Sequence, residues 1–109
     1  MQPRKPSHPG LILKEEFMIP LEIDERELAQ ILGVVETTIQ QLVKEETKLG
    51  ISLAGRLATC FETSIEFWMN LQHNLDIWEM MNDGSVQAAW KKIITAKNYV
   101  ETRKGNERT

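Results

Sequence analysis

The chain has 109 residues, 41% of them hydrophobic, four prolines and a formal net charge of −3. That is enough for one packed domain with a short appendage, and it excludes a disordered or fibrous chain. No apolar run approaches the ~18 residues that a membrane span needs, and MQPRKPSHPG contains no apolar segment of a secretory signal.

Helical periodicity runs throughout, with no alternating stretch long enough to be a strand. In HPGLILKEEFMI, Pro9 opens a first helix at a position where its missing N–H has no partner to lose. His8 is placed to cap that helix. Leu11, Leu13, Phe17 and Met18 then face a core, and Pro20 is expected to end it. A second helix follows in LEIDERELAQILG. Asp24 and Glu27 have capping-box spacing, and Ile23 and Leu28 can form a hydrophobic staple across the cap. Leu28, Ala29, Ile31 and Leu32 form its buried side, and Gly33 supplies a left-handed turn.

A third helix, from about Val35 to Glu45, buries Ile39 and Leu42. Its weak point is the N-cap, because Val35 has no side-chain oxygen and forgoes roughly 1 kcal/mol relative to Ser or Thr. ISLAGRLATCF reads as a fourth helix capped by Ser52, with Leu53, Leu57, Ala58 and Phe61 inward and Gly55 weakening its middle. The fifth, TSIEFWMNLQHNLDIWEMM, has Thr63 and Glu66 as a second capping box and Phe67, Trp68, Leu71, Leu75 and Trp78 on its apolar side. NDGS breaks the chain at residues 82–85. A last helix is expected from Val86 to Val100, followed by a disordered end, ETRKGNERT. The expected division is residues 1–82 and residues 83–109.

Charge is distributed unevenly. Residues 1–84 carry seven Lys and Arg against fourteen Asp and Glu, and residues 85–109 carry six against two. The body is therefore acidic and the end basic, the reverse of the usual basic footprint on a DNA-binding body.

The second and third helices have the residue pattern of a helix-turn-helix. Counted from Glu25, a small residue is needed at the fifth position, Gly at the ninth, and branched aliphatics at the fifteenth and eighteenth, where Ala29, Gly33, Ile39 and Leu42 stand. A simple helical corner shares this pattern, so the spacing leaves that alternative open.

Across Pro6 to Glu79, the HPG start, the ELAQILGV and TTIQQLV stretches, and TSIEFWMNLQ closely resemble the HigA-type antitoxins of the lambda-repressor-like, XRE-type helix-turn-helix group. The resemblance implies an all-α fold of five core helices with an additional C-terminal helix. It also implies a cytoplasmic homodimer, a HigB-like toxin that cleaves mRNA at the ribosome, and autorepression through palindromic operator DNA. A single cysteine, Cys60, which cannot form an internal disulfide, fits the reducing cytoplasm.

The residues expected at DNA are Glu25, Val35, Glu36, Thr37, Thr38, Gln40, Gln41 and Lys44. Several depart from the family pattern, which tends to have Gln at the position of Glu25, Ser and Arg at Val35 and Glu36, and Asn-Gly at Lys44 and Glu45. A carboxylate about 4 Å from a phosphate repels it by ~1 kcal/mol in water and ~4 kcal/mol near a protein surface. The margin of specific over nonspecific binding is only about 4–10 kcal/mol. Two such acids per subunit could therefore abolish operator binding, leaving a toxin-sequestering module on a helix-turn-helix scaffold. Alternatively, Glu36 can accept from cytosine N4 and act as a reader. Gln41 can pair with adenine, Thr37 and Thr38 can touch phosphate or a thymine methyl, and Lys44 can neutralise a phosphate. Arg4, Lys5 and the basic end can supply counter-charge.

No other chemistry is expected. His8 and His73 stand far apart in sequence and Cys60 is the only thiol, so no metal-ligand spacing exists. No phosphate loop or nucleophile motif points to an enzyme or a cofactor. Cys60 reads as a buried, inert thiol, and Trp68, Trp78 and Trp90 read as core or dimer packing. The apolar residues crowded into the last third (Trp78, Met80, Met81, Trp90, Ile93, Ile94) suit a dimerisation arm or a toxin-binding segment. The acidic body suits electrostatic steering toward a cationic toxin.

Overall fold

The structure is a computed structural model that describes residues 4–107, and every element among them is helical. Helix α1 is composite: α-helical over Pro9–Ile12, π-helical over Leu13–Met18 and α-helical again over Ile19–Leu21. It is followed by α2 (Glu25–Leu32), α3 (Glu36–Val43), α4 (Ile51–Phe61), α5 (Ile65–Met81), α6 (Gly84–Lys91) and α7 (Ala96–Glu107). The chain divides into two compact units, Met1–Trp78 and Glu79–Thr109.

Pro20 does not end α1, which continues to Leu21 before Glu22 turns left-handed. The hydrogen-bond ladder has already slipped by one residue there, since Ile19 donates to the Lys14 carbonyl. The widened turn accommodates a ring that would otherwise crowd the preceding turn. At the other end of α1 the HPG sequence forms a tight joint. Gly10 N–H donates to His8 Nδ1 at 2.9 Å, and His8 Nε2 donates to the Thr47 carbonyl at 3.0 Å. A Cβ on Gly10 would overlap the Leu42 carbonyl group, so α1 lies directly against the backbone of α3. His8 therefore does cap the helix, and it also ties the helix to the loop after α3.

The capping box of α2 forms as its spacing predicts. Glu27 N–H donates to Asp24 Oδ1 at 2.8 Å, and Asp24 N–H to Glu27 Oε1 at 3.1 Å. Gly33 takes φ 70° in the left-handed region, and Val34 N–H returns to the Ala29 carbonyl. Leu28, Ala29 and Leu32 are buried, but Ile31 is 57% exposed at the edge of that stripe, beside Ser52, Gly55 and Thr59 of α4.

Two caps differ from expectation. Helix α4 begins at Ile51 with Gly50 as its N-cap, so Ser52 falls inside the first turn. For α5 the capping hydroxyl is Ser64, which accepts from Phe67 N–H at 3.0 Å. Thr63 instead accepts from the Trp68 indole N–H at 2.8 Å. That bond lets a fully buried Trp68 keep its polar atom satisfied. Phe17, Phe61 and Phe67 surround Trp68 with ring centroids 5.1–6.4 Å away. Trp68 is a core residue. Cys60 is half-buried rather than buried, and that desolvation pushes its thiol pKa up, which keeps it protonated and unreactive.

In the second unit, the helix expected from Val86 to Val100 is interrupted at residues 92–95. Ile93, Ile94 and Thr95 form a β-branched run that helices disfavour. The Thr95 hydroxyl then caps α7 by accepting from Asn98 N–H at 3.1 Å. Asp83 caps α6, where the hydroxyl and N–H of Ser85 hold its carboxyl below the usual carboxylate range. The chain expected to be disordered after Val100 is helical to Glu107, and Arg108 and Thr109 lie outside the described residues.

Replacing Gly10 with Ala drives a methyl into backbone and is expected to cost about 1–3 kcal/mol. A Cβ at Gly55 would meet nothing closer than 3.9 Å, so Gly55→Ala should gain about 1 kcal/mol from helix propensity. Thermal melts followed by circular dichroism should move in opposite directions, by about 4–8 °C per kcal/mol. Equal shifts of one sign would contradict this reading of the two glycines.

Candidate nucleic-acid interface

Helix α3 is short and lacks a side-chain cap at Val35, as its sequence implied. Its inner face is anchored by Ile39 and Leu42, neither of which is exposed to solvent. At about 100° per residue, the outward arc runs from Glu36 and Gln40 at one edge, through Lys44 and Thr37, to Gln41 at the other. Glu36, Thr37, Gln41 and Lys44 are exposed, while Thr38 and Gln40 are half-buried.

The predicted site residues fall on two sides of this helix. Glu25, half-buried in the first turn of α2, and Glu36 line one groove with Lys14, Glu22 and Arg26. Thr38 and Gln41 line another with Thr47, Lys48, Ser52 and Arg56. Val35, 68% exposed, Thr37, Gln40 and Lys44 line neither. One side is acidic and the other polar and basic. The separation arises because the first turn of α2 borders one side of α3 and the start of α4 the other, which spacing alone does not give.

Glu36 has a structural role that its charge alone did not suggest. It occupies the first turn of an uncapped helix, where a carboxylate stabilises the N-terminal dipole by about 0.3–1 kcal/mol. Gln40 Nε2 donates to Glu36 Oε1 at 3.3 Å, a weak bond along the helix surface. Glu45 is explained by backbone geometry as well. It has φ 61°, a left-handed conformation that costs a non-glycine residue roughly 1–2 kcal/mol. The Gly of the family's Asn-Gly pair falls at this strained position.

Three contacts fix the loop beyond α3. His8 holds the Thr47 carbonyl, as above. Gln72 is buried and accepts from Leu49 N–H at 2.8 Å, while its amide donates to Asp76 Oδ1 at 2.8 Å. Lys48 Nζ pairs with the same Asp76 oxygen at 3.3 Å. Arg56, on α4, donates to the Leu32 carbonyl at 2.6 Å and so satisfies the C-terminal end of α2. Sequence reasoning passed over Gln72, Lys48 and Arg56. The one available signal was Gln72, at the end of the NLQ motif.

Among the described residues no cluster of His, Cys, Asp and Glu could hold a metal, and no helix is long and apolar enough to cross a membrane. A tightly turned helix pair on an all-helical core, with a polar arc displayed on its second helix, defines a helix-turn-helix domain. No protein-family model matches the chain. It is 38% identical over 100 residues to the uncharacterized HTH-type transcriptional regulator YbaQ of Escherichia coli K12, covering 92% of this chain and 88% of that protein. It is 34% identical over 91 residues to antitoxin HigA-1 of Vibrio cholerae, covering 84% and 86%. The structure of Pseudomonas aeruginosa antitoxin HigA with the higBA promoter superposes with a TM-score of 0.76 at 32% identity, covering 84% of this chain and 98% of that one. The chain belongs to the HigA antitoxin family of helix-turn-helix transcriptional regulators, whose members are regulators rather than enzymes.

The uncapped start of α3 and the strained Glu45 each yield a test. Val35→Ser should stabilise the fold by about 1 kcal/mol through a new N-cap bond. Glu45→Gly should relieve the left-handed strain, offset in part by about 0.4–1 kcal/mol of added chain entropy in the unfolded state. Chemical denaturation should show higher midpoints with unchanged slopes. A lower midpoint for Val35→Ser would mean that the start of α3 is already satisfied.

Proposed function

We propose that the protein is an antitoxin and autorepressor that inserts α3 into the major groove of its operator as a homodimer. The observation that carries this reading is the outward arc of Thr37, Gln41 and Lys44 on a helix whose far end is clamped by His8 and Gln72. A pre-fixed reading helix loses little freedom on binding, so its contacts translate into affinity. The relationship to a HigA that is seen with its promoter supports operator DNA as the ligand.

In this reading Gln41 pairs with adenine and Lys44 neutralises a phosphate, while Thr37 and Thr38 contact the backbone or a thymine methyl. Glu36 stands at the opposite edge of the outward arc from Gln41, and Glu25 lines the groove at that edge, so both carboxylates are farther from a phosphate or base near Gln41. That arrangement favours retained binding over the scaffold-only alternative. Exposed Ile77, Met80, Met81, Trp90, Ile93, Ile94 and Tyr99 support dimerisation through the second half of the chain. The HigB-like toxin is cationic in this scheme and meets the acidic body or the C-terminal region rather than residues 36–44. Such a regulator acts in the cytoplasm. The division into a helix-turn-helix domain, residues 1–82, and a C-terminal arm, residues 83–109, belongs to the same proposal.

The test is an anisotropy titration against the duplex upstream of its own reading frame and a scrambled duplex. Gln41→Ala should cost about 1–3 kcal/mol on the operator, confined to one base position, and little on scrambled DNA. Glu36→Gln should leave affinity for scrambled DNA nearly unchanged. Equal wild-type binding to both duplexes, unaffected by Gln41→Ala, would leave the scaffold reading in its place.

A further inference from the structure

The α3 interface is short of positive charge. Of the seven cations in residues 1–84, Arg56 donates to the Leu32 carbonyl, Lys48 pairs with Asp76, Lys5 lies 5.7 Å from the Trp78 ring centroid, and Lys14 and Arg26 line the groove that Glu22, Asp24, Glu25, Glu27 and Glu36 make acidic. On α3 and its cap only Lys44 remains, against Glu36, Glu45 and Glu46 close by. Sequence-independent affinity for DNA arises from cations that displace counterions from phosphates, and one lysine per protomer supplies little of it.

The second unit is basic where the first is acidic. Lys91, Lys92, Lys97, Arg103 and Lys104 are all exposed, with Glu101 as the only acid between residues 85 and 105. Among the described residues none of the four lysines makes an ion pair, and Arg103 lies over the Tyr99 ring at 5.9 Å. On α7, Lys97 and Lys104 are two turns apart on one face, about 10 Å along the axis. They form a short cationic row, a spacing that can reach separate phosphates of one strand.

We propose that residues 91–104 form a second nucleic-acid contact, a basic arm that grips the sugar-phosphate backbone of the duplex read by α3. The inference rests on the operator-binding reading of α3 and adds the source of its nonspecific affinity. It also explains how an acidic body can approach a polyanion. Phosphates offer the dense row of negative charge that such a row of cations fits.

The experiment uses the full chain with the triple substitution Lys97→Gln, Arg103→Gln and Lys104→Gln, which removes the charges and keeps unbranched polar side chains of similar helix propensity. A Lys97→Arg, Lys104→Arg variant retains the charge. Binding to the upstream duplex and to a scrambled duplex is titrated at several salt concentrations, with sedimentation equilibrium and a thermal melt alongside. The triple variant should lose affinity for both duplexes by the same factor. Its plot of log K against log salt should be shallower by roughly 0.9 for each phosphate that is no longer neutralised, or about 2–3 per protomer. The arginine variant should behave as wild type. An unchanged slope in a folded triple variant overturns the proposal. If self-association weakens while the slope holds, the arm is a protein contact and the proposal fails. Absence of DNA binding by the wild type would overturn the operator reading and this inference with it, whereas a bound wild type with an unaltered variant overturns this inference alone.

Discussion

The loop between α3 and α4 is the constraint on which the interface depends. It is held from one side by His8 on the Thr47 carbonyl and from the other by Gln72 on Leu49 N–H. Gly10 allows α1 to press against the Leu42 carbonyl at the end of α3. A helix of eight residues is marginal alone, because nucleation costs more than so few bonds return. Packing of Ile39 and Leu42 and the clamp at its C-terminal end keep α3 in place, since its N-terminus has no side-chain cap.

That clamp gives the motifs a physical meaning. The HPG start and the NLQ end of the TSIEFW stretch lie more than sixty residues apart, yet both terminate on the same loop. His8 contributes both ring nitrogens, one as acceptor for Gly10 and one as donor to Thr47, a pairing that no aliphatic residue could replace. Gln72 does the same with its amide, accepting from Leu49 and donating to Asp76. Each satisfies a group that would otherwise be buried without a partner, at a cost of about 1–3 kcal/mol.

Much of the fold was legible because it depends on local rules. The Asp24–Glu27 capping box, the left-handed Gly33 and the buried Leu28, Ile39 and Leu57 follow from spacing and periodicity. Where expectation failed, a competing local bond had won. Ser64 took the cap assigned to Thr63, and Thr95 started a new helix inside a continuous apolar pattern. The continuation of α1 through Pro20 depended on a slipped ladder that no residue pattern announces. The outward exposure of Glu36, Thr37, Gln41 and Lys44 on α3 was legible, but the division of the candidate residues between two grooves was not. Sequence places Glu36 and Gln41 on one exposed arc, and only the neighbouring residues of α2 and α4 assign them to different grooves.

The acids at the start of α3 therefore do not by themselves decide against DNA. Glu36 supports an uncapped helix, and Asp24 and Glu27 cap its neighbour. The central claim is that α3 reads DNA through Thr37, Thr38, Gln41 and Lys44. Its most direct test is amide chemical-shift mapping of the full chain titrated with the duplex upstream of its reading frame. The account predicts large shifts at those four residues and in the loop to Gly50, with the buried Trp68 indole unmoved. Shifts confined to the acidic groove or to α7, with α3 unperturbed, would contradict it.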